Sequence, residues 1–299
     1  MITEEARRAV APAPVRADPD PARPTGRRRP WDEAPRWQIY LPLSIYLVFT
    51  LVPFYWILLF ALRPAGSTSL VPWPMTFEHF GKVWNERSFG VYFQNSVLVG
   101  VATLVLTTGV ALAGGYALAR FDFRIKRGFM LALLCTQFVP GALLLVPLFE
   151  IFAQLRMINS LASVVIAETV FQLPLSMILI SGFIRNVPYS LEEAAWVDGC
   201  NRFTAFRIVV LPLLRPGLIA VGSFAFVHAW NHFLFALMFL SDQAKQTIPV
   251  GLNTLMSADS VDLGALAAGG IIAAVPVVIV FAFIQKWLIT GFSAGAVKG

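Results

Sequence analysis

Six stretches of the chain are nearly free of charge and long enough to cross roughly 30 Å of hydrocarbon at about 1.5 Å per helical residue. They run near 39–62, 93–119, 129–153, 160–184, 217–240 and 264–288. Inside a bilayer every backbone donor and acceptor must be satisfied locally, which a helix does. The pattern therefore predicts an all-α membrane protein with six transmembrane helices. Pro53, Pro140, Pro147, Pro174 and Pro276 fall inside these segments and predict kinks, since each removes a main-chain hydrogen bond. Small residues one turn apart, Ala111 with Gly115 and Ala265 with Gly269, predict close helix approaches, either within the chain or against a second membrane subunit.

Polar segments separate the apolar ones, and their charges orient the chain. Residues 1–36 are rich in Pro, Ala and Arg and poor in large apolar side chains, so they cannot bury enough surface to offset the entropy of ordering. They are expected to form a disordered cytoplasmic tail ahead of a six-helix domain at 37–299. Arg7, Arg8, Arg16, Arg23, Arg27, Arg28, Arg29 and Arg36 precede the first span. Arg120, Arg124, Lys126 and Arg127 follow the second, and Arg185, Arg202, Arg207 and Arg215 lie at 185–216. Positive charge marks the cytoplasmic side. Lys245 against Asp242, Asp259 and Asp262 places 241–263 outside. Both termini are then cytoplasmic, in a multi-pass protein of the cell membrane.

Composition agrees with a lipid-solvated chain: 57% of the 299 residues are hydrophobic, 13% are charged and the mean hydropathy is +0.70. The net charge of +6 does not indicate nucleic acid, because the arginines sit in the tail and in short loops beside apolar segments rather than on one folded face. Cys135, inside an apolar segment, and Cys200, in a polar loop, have no metal-binding spacing and no shared environment for a disulfide. The chain has no GxxxxGK[ST] phosphate loop, no HExxH pair and no GxSxG elbow, so catalysis by this chain is not expected.

The loop at 185–216 carries a pattern of its own. Ser190 followed by Glu193 fits a capping box that would start a short helix at Leu191. Gly199 is placed to end that helix in the left-handed conformation, and Asn201 to cap a second one. Pro212 and Pro216 mark the return to the membrane. Ala194 and Ala195 are small enough to seat the first helix in a partner's groove. Glu192, Glu193 and Asp198 add negative charge for a basic rim.

Glu193-Ala194-Ala195, Gly199 and, further on, Leu211-Pro212 closely resemble the EAA loop of the membrane subunits of binding-protein-dependent ABC importers. Trp230-Asn231 with Phe233-Leu234-Phe235-Ala236-Leu237, and the ending Gly295-Ala296-Val297-Lys298-Gly299, resemble sugar-importer permeases of the maltose type, in particular their second membrane subunit. The resemblance covers roughly 39–299. It departs at Val209, where Ile is usual, at Cys200, where Ala is usual, and at His232, where Glu is frequent.

The resemblance implies a type I ABC importer permease fold with a cytoplasmic coupling helix between the fourth and fifth spans. It implies docking on an ATPase through Glu193, Ala194, Ala195, Asp198, Gly199, Leu211 and Pro212. The implied partners are a second permease subunit, two ATP-binding subunits, an extracytoplasmic solute-binding protein and a sugar. No cofactor is implied for this chain, ATP and Mg²⁺ belonging to the partner ATPases.

Gln137, Glu168, Gln172, Asn231 and His232 lie within the apolar segments, where an ionisable group costs roughly 2.5–3.5 kcal/mol and normally faces a cavity or a partner. With Trp230, which could stack on a sugar ring, they are the candidates for a translocation path. A different class of function also fits these groups: an ion- or proton-coupled secondary transporter with Glu168 and His232 as a relay. It leaves the loop at 185–216 without a purpose.

Overall fold

The computed structural model describes residues 36–256 and 261–296, with side chains over 37–256 and 261–285. The expected tail at 1–36 falls outside the described residues except for Arg36, as do the last three residues of the chain. The chain divides into two compact units, 1–53 and 54–299. The first contributes the apolar beginning of helix α1 (Arg36–Leu62). The second holds the rest of the fold and both candidate sites.

Within it, α2 (Glu78–Gly81) and a π-turn lead into α3 (Phe89–Arg120), which is followed by α4 (Lys126–Thr136), α5 (Leu145–Gln154) and α6 (Leu161–Arg185). Short helices α7 (Tyr189–Val197), α8 (Arg202–Ala205) and α9 (Leu211–Leu213) form the polar loop. The chain then continues through α10 (Arg215–Asn231), α11 (Leu234–Phe239), α12 (Ile248–Met256) and α13 (Leu263–Ala296). No strand occurs among the described residues.

Among the described residues, four helices hold stretches long and apolar enough to span a bilayer unaided: Trp37–Leu62, Phe89–Arg120, Leu161–Arg185 and Leu263–Gln285. The third and fifth spans are interrupted, which the apolar pattern alone does not reveal. Between α4 and the turn leading into α5 the axis bends by 93°. Pro140, with φ −60° and ψ 126°, stands at the break, because a proline disfavours helical geometry in the residue before it and cannot donate to the preceding turn. Pro53, Pro174 and Pro276 lie inside continuous helices, and Pro147 sits in the first turn of α5, where a missing N–H is tolerated.

The predicted fifth span, 217–240, is broken at His232–Phe233 without any proline or glycine. The Asn231 side-chain amide donates to the Val227 carbonyl at 2.8 Å, competing for an acceptor one turn back, and His232 leaves the helix with ψ 123°. The predicted external loop at 241–263 is also more than a loop. It contains α12, whose buried Ile248 donates its N–H to Ser96 Oγ at 2.9 Å.

The bundle is organised on α3. It runs parallel to α6, with Val99 packed in the same cluster as Val165 and Gly115 meeting Ile180 and Ser181. It runs antiparallel to α10, with Gly100 against Phe226 and Gly222 against Leu104 and Thr108. A Cβ on Gly115 would lie 2.8 Å from Ile180 Cγ2 and 3.1 Å from the Ser181 nitrogen, so only glycine permits this approach. Ala111 is fully buried in the same seam, and Ala265 and Gly269 pack against the chain's own Phe89 and Leu252 region. Both predicted small-residue pairs thus serve packing within this polypeptide.

Candidate functional site: the polar loop and the intramembrane cavity

The first turn of α7 differs from the sequence expectation. Pro188 occupies the N-cap with no side-chain hydrogen bond and the helix begins at Tyr189, so Ser190 lies inside it and no capping box forms. Proline preceding the helix supplies an extended entry, with φ −57° and ψ 131°, that makes a serine cap unnecessary. The other end matches. Gly199 adopts φ +89°, its N–H donates to the Trp196 carbonyl at 3.0 Å, and the Cys200 N–H donates to the Ala195 carbonyl at 2.9 Å. This is a Schellman termination. The Asn201 side chain then accepts from the Thr204 N–H at 2.8 Å and caps α8.

What fastens this loop to the membrane helices is Glu192, a residue whose sequence context suggests the outer surface. It is completely buried. Its Oε1 accepts from Arg120 Nε at 2.6 Å and its Oε2 from the Tyr116 hydroxyl at 2.7 Å, both from the last turns of α3. Arg120 Nη2 also donates to the Val187 carbonyl at 2.9 Å, and its guanidinium lies over the Tyr189 ring. Both carboxylate oxygens are engaged and the guanidinium is held at two of its nitrogens, the condition under which a buried ion pair is tolerated.

With Glu192 turned inward, α7 shows Glu193, Ala194, Val197 and Asp198 to solvent. Ala195 is buried, which corrects the expectation that both alanines are presented. Leu211 is half-buried and Pro212 exposed, while Val197, Phe203 and Ile208 are exposed apolar side chains on the same loop. The loop thus presents apolar side chains beside the carboxylates of Glu193 and Asp198.

The second cluster lies at membrane depth. Glu168, seven residues or about 10 Å into α6, has no exposed surface. His232 Nδ1 lies 2.7 Å from its Oε1 and His228 Nδ1 lies 3.1 Å from its Oε2. The His232 contact is a short nitrogen–oxygen approach that lies off the line of a hydrogen bond. The two imidazoles are stacked, 5.4 Å apart and inclined by 22°.

An open cavity of about 840 Å³ adjoins them, lined among others by Gln137, Gln172, Ser176, His228, Asn231 and His232. Five of the six predicted path residues are therefore brought together, four on the cavity wall and Glu168 behind it. The sixth is not. Trp230 is buried, donates its indole N–H to the Ala273 carbonyl at 3.0 Å and stacks on Phe226; it is a packing residue that touches only a smaller neighbouring cleft. His228 was missed by sequence reasoning. Its four-residue spacing from His232, in a segment that reads as one continuous helix, predicts both rings on one face, and that was the available signal.

A family model described as the inner membrane component of binding-protein-dependent transport systems matches residues 105–293, from mid-α3 through the polar loop and into α13. The chain belongs to that family. The permease is 36% identical over 262 residues to the diacetylchitobiose uptake system permease protein DasC of Streptomyces coelicolor, covering 86% of this chain and 94% of the relative. It is 33% identical over 253 residues to the melibiose/raffinose/stachyose import permease protein MelC of Bacillus subtilis, covering 83% and 91%. It is 30% identical over 261 residues to the trehalose transport system permease protein SugB of Mycobacterium tuberculosis, covering 86% and 95%.

A solved bacterial ABC transporter involved in alginate import contains a chain of the same fold, with a TM-score of 0.69 over 85% of this chain and 98% of that one at 21% identity. The permease is thus a type I ABC importer subunit with four to six spans among the described residues, and the secondary-transporter alternative falls with that assignment.

Proposed function

We propose that the permease forms one half of the translocation pathway of an ATP-driven sugar importer and passes the closure of partner ATPases to its own membrane helices. The observation that carries this is the attachment of α7. The exposed ridge Glu193–Ala194–Val197–Asp198 sits one residue away from a buried Glu192–Arg120–Tyr116 junction, so displacement of the loop is delivered to the end of α3 without an intervening flexible segment. The arginine-rich ends of α3, α4, α6 and α10 support a cytoplasmic position for that loop, where two ATP-binding subunits would hold ATP and Mg²⁺.

Several relatives carry the names of sugars, and the cavity beside α6 and α10 offers the polar lining such a solute requires. A second permease supplies the other half of the pathway, and an external binding protein delivers the solute. A bacterial alginate ABC transporter has been solved in complex with an alginate pentasaccharide-bound periplasmic protein. Uptake into proteoliposomes loaded with ATP and holding the complete transporter tests the reading. Accumulation that requires ATP and the ATPase subunits supports it; accumulation driven by a proton gradient in their absence rejects it.

A further inference from the structure

Resting on that reading, we infer that this subunit carries a solute subsite of its own, in which Glu168 holds the imidazoles of His228 and His232 toward the cavity as acceptors for the hydroxyl groups of an uncharged, polyhydroxylated solute. The chemistry follows from which ring nitrogen faces the carboxylate. With the buried Glu168 carboxylate facing both Nδ1 atoms, at 2.7 and 3.1 Å, a neutral imidazole keeps its proton on Nδ1 and leaves Nε2 as an acceptor. Each amide around the cavity spends one of its two side-chain N–H donors on the protein itself. Gln137 Nε2 donates to the Phe171 carbonyl at 3.3 Å, Gln172 Nε2 to the Ala225 carbonyl at 3.4 Å and Asn231 Nδ2 to the Val227 carbonyl at 2.8 Å. Their oxygens remain as acceptors.

The wall is therefore rich in acceptors, and among the described residues no Lys or Arg lines it. An anionic solute would meet the field of Glu168 without a Lys or Arg to offset it, whereas sugar hydroxyls can donate to these acceptors. Phe171, Phe224 and Leu175 offer apolar surface for the C–H faces of a pyranose ring. The volume lies within the range of small-molecule sites.

Lipid is an unsuitable cover for this face. Gln137, Asn231 and His228 are exposed on it, His228 with half of its side chain, and the main chain is broken at His232–Phe233 beside it. Polar side chains and interrupted backbone at membrane depth occur where they border water or protein.

The test places a reporter thiol in the cavity of the complete transporter. Val227→Cys, on the cavity wall next to His228, is made in a chain with Cys135→Ser and Cys200→Ser, and the rate of modification by a hydrophilic methanethiosulfonate is measured with and without diacetylchitobiose, trehalose or raffinose. We expect modification in the absence of solute and at least fivefold protection by one of these sugars.

Adding His228→Gln and His232→Gln should raise the half-protecting concentration at least tenfold. Glu168→Gln should raise it too, while the modification rate without sugar stays the same, which a merely structural role of Glu168 would not give. Absence of modification under any condition, modification that no sugar slows, or protection indifferent to the histidine changes would each overturn the subsite. Protection that follows the histidines in a protein whose uptake proves independent of ATP would leave the subsite standing and sink the importer reading instead.

Discussion

Arg120 Nε and Glu192 Oε1 lie 2.6 Å apart, both side chains nearly free of solvent, at the point where α3 ends and α7 passes beneath it. The contact ties the polar loop to the helix on which the bundle is organised. Removing one partner leaves the other charge buried and unpaired, which costs about 3–5 kcal/mol. Glu192→Ala should lower the thermal unfolding temperature of the purified complex and abolish solute-stimulated ATP hydrolysis. The double variant Arg120→Ala/Glu192→Ala should cost less than the two single changes added together, a double-mutant cycle that reads the pair directly.

Gly199 adopts φ +89° at the end of α7, with open space around its α-carbon. Conformation, not room, excludes other residues there. Gly199→Ala should cost about 1–2 kcal/mol locally, speeding amide hydrogen exchange at Gly199 and Cys200, whose bonds to Trp196 and Ala195 close the helix. Gly199→Asn, which tolerates the left-handed region, should retain more uptake than Gly199→Ala.

A paired substitution separates packing glycines from neutral ones on the same helix. Gly115→Ala drives a methyl group into Ile180 and the Ser181 backbone, whereas a Cβ at Gly109 meets nothing within 4 Å. Overpacking at Gly115 should destabilise the bundle by about 1–3 kcal/mol, while Gly109→Ala should leave the unfolding temperature unchanged or slightly raised.

At the opposite end of the bundle Asp262 is held below the usual carboxylate range, first by the Ala265 N–H donating to it at 3.0 Å and then by the Lys82 ammonium at 3.1 Å. A depressed folded-state pKa contributes stability that is present above the unfolded value, about 3.9, and is lost as pH falls through the folded one. The Asp262 carboxylate's contribution to the link between the start of α13 and the π-turn after α2 should therefore stay constant wherever carboxylates remain ionised, above roughly pH 5. It should weaken only in stronger acid. Hydrogen exchange at the Ala265 amide as a function of pH, compared with Asp262→Asn, measures this.

Legibility in the sequence followed the physics of each element. Long apolar runs specify helices because lipid offers the backbone no alternative, so α1, α3, α6 and α13 were readable. Gly199 and Asn201 were readable because φ > 0 and a cap are local demands on one residue. The breaks in the third and fifth spans were not evident from hydropathy, since an apolar segment stays apolar when it bends; Pro140 marked one, and the Asn231-to-Val227 bond that accompanies the other leaves no compositional trace.

The inward turn of Glu192 was hidden for another reason. Adjacent glutamates look alike in sequence, and only the arrival of Arg120 and Tyr116 from 72 and 76 positions away distinguishes the buried one from the exposed one. Trp230 was likewise ambiguous, because an indole serves a sugar face and a helix seam equally well.

The central claim is that motion generated in a separate ATPase enters this chain through α7. Cysteine placed at the exposed Ala194, in a chain whose own cysteines are replaced, and a short thiol crosslinker applied to the assembled transporter test it most directly. The expected result is a product joining the permease to an ATP-binding subunit, with a yield that changes when ATP binds. A thiol at that position that never reaches an ATPase subunit, or that is modified only by reagents confined to the external side, would contradict it.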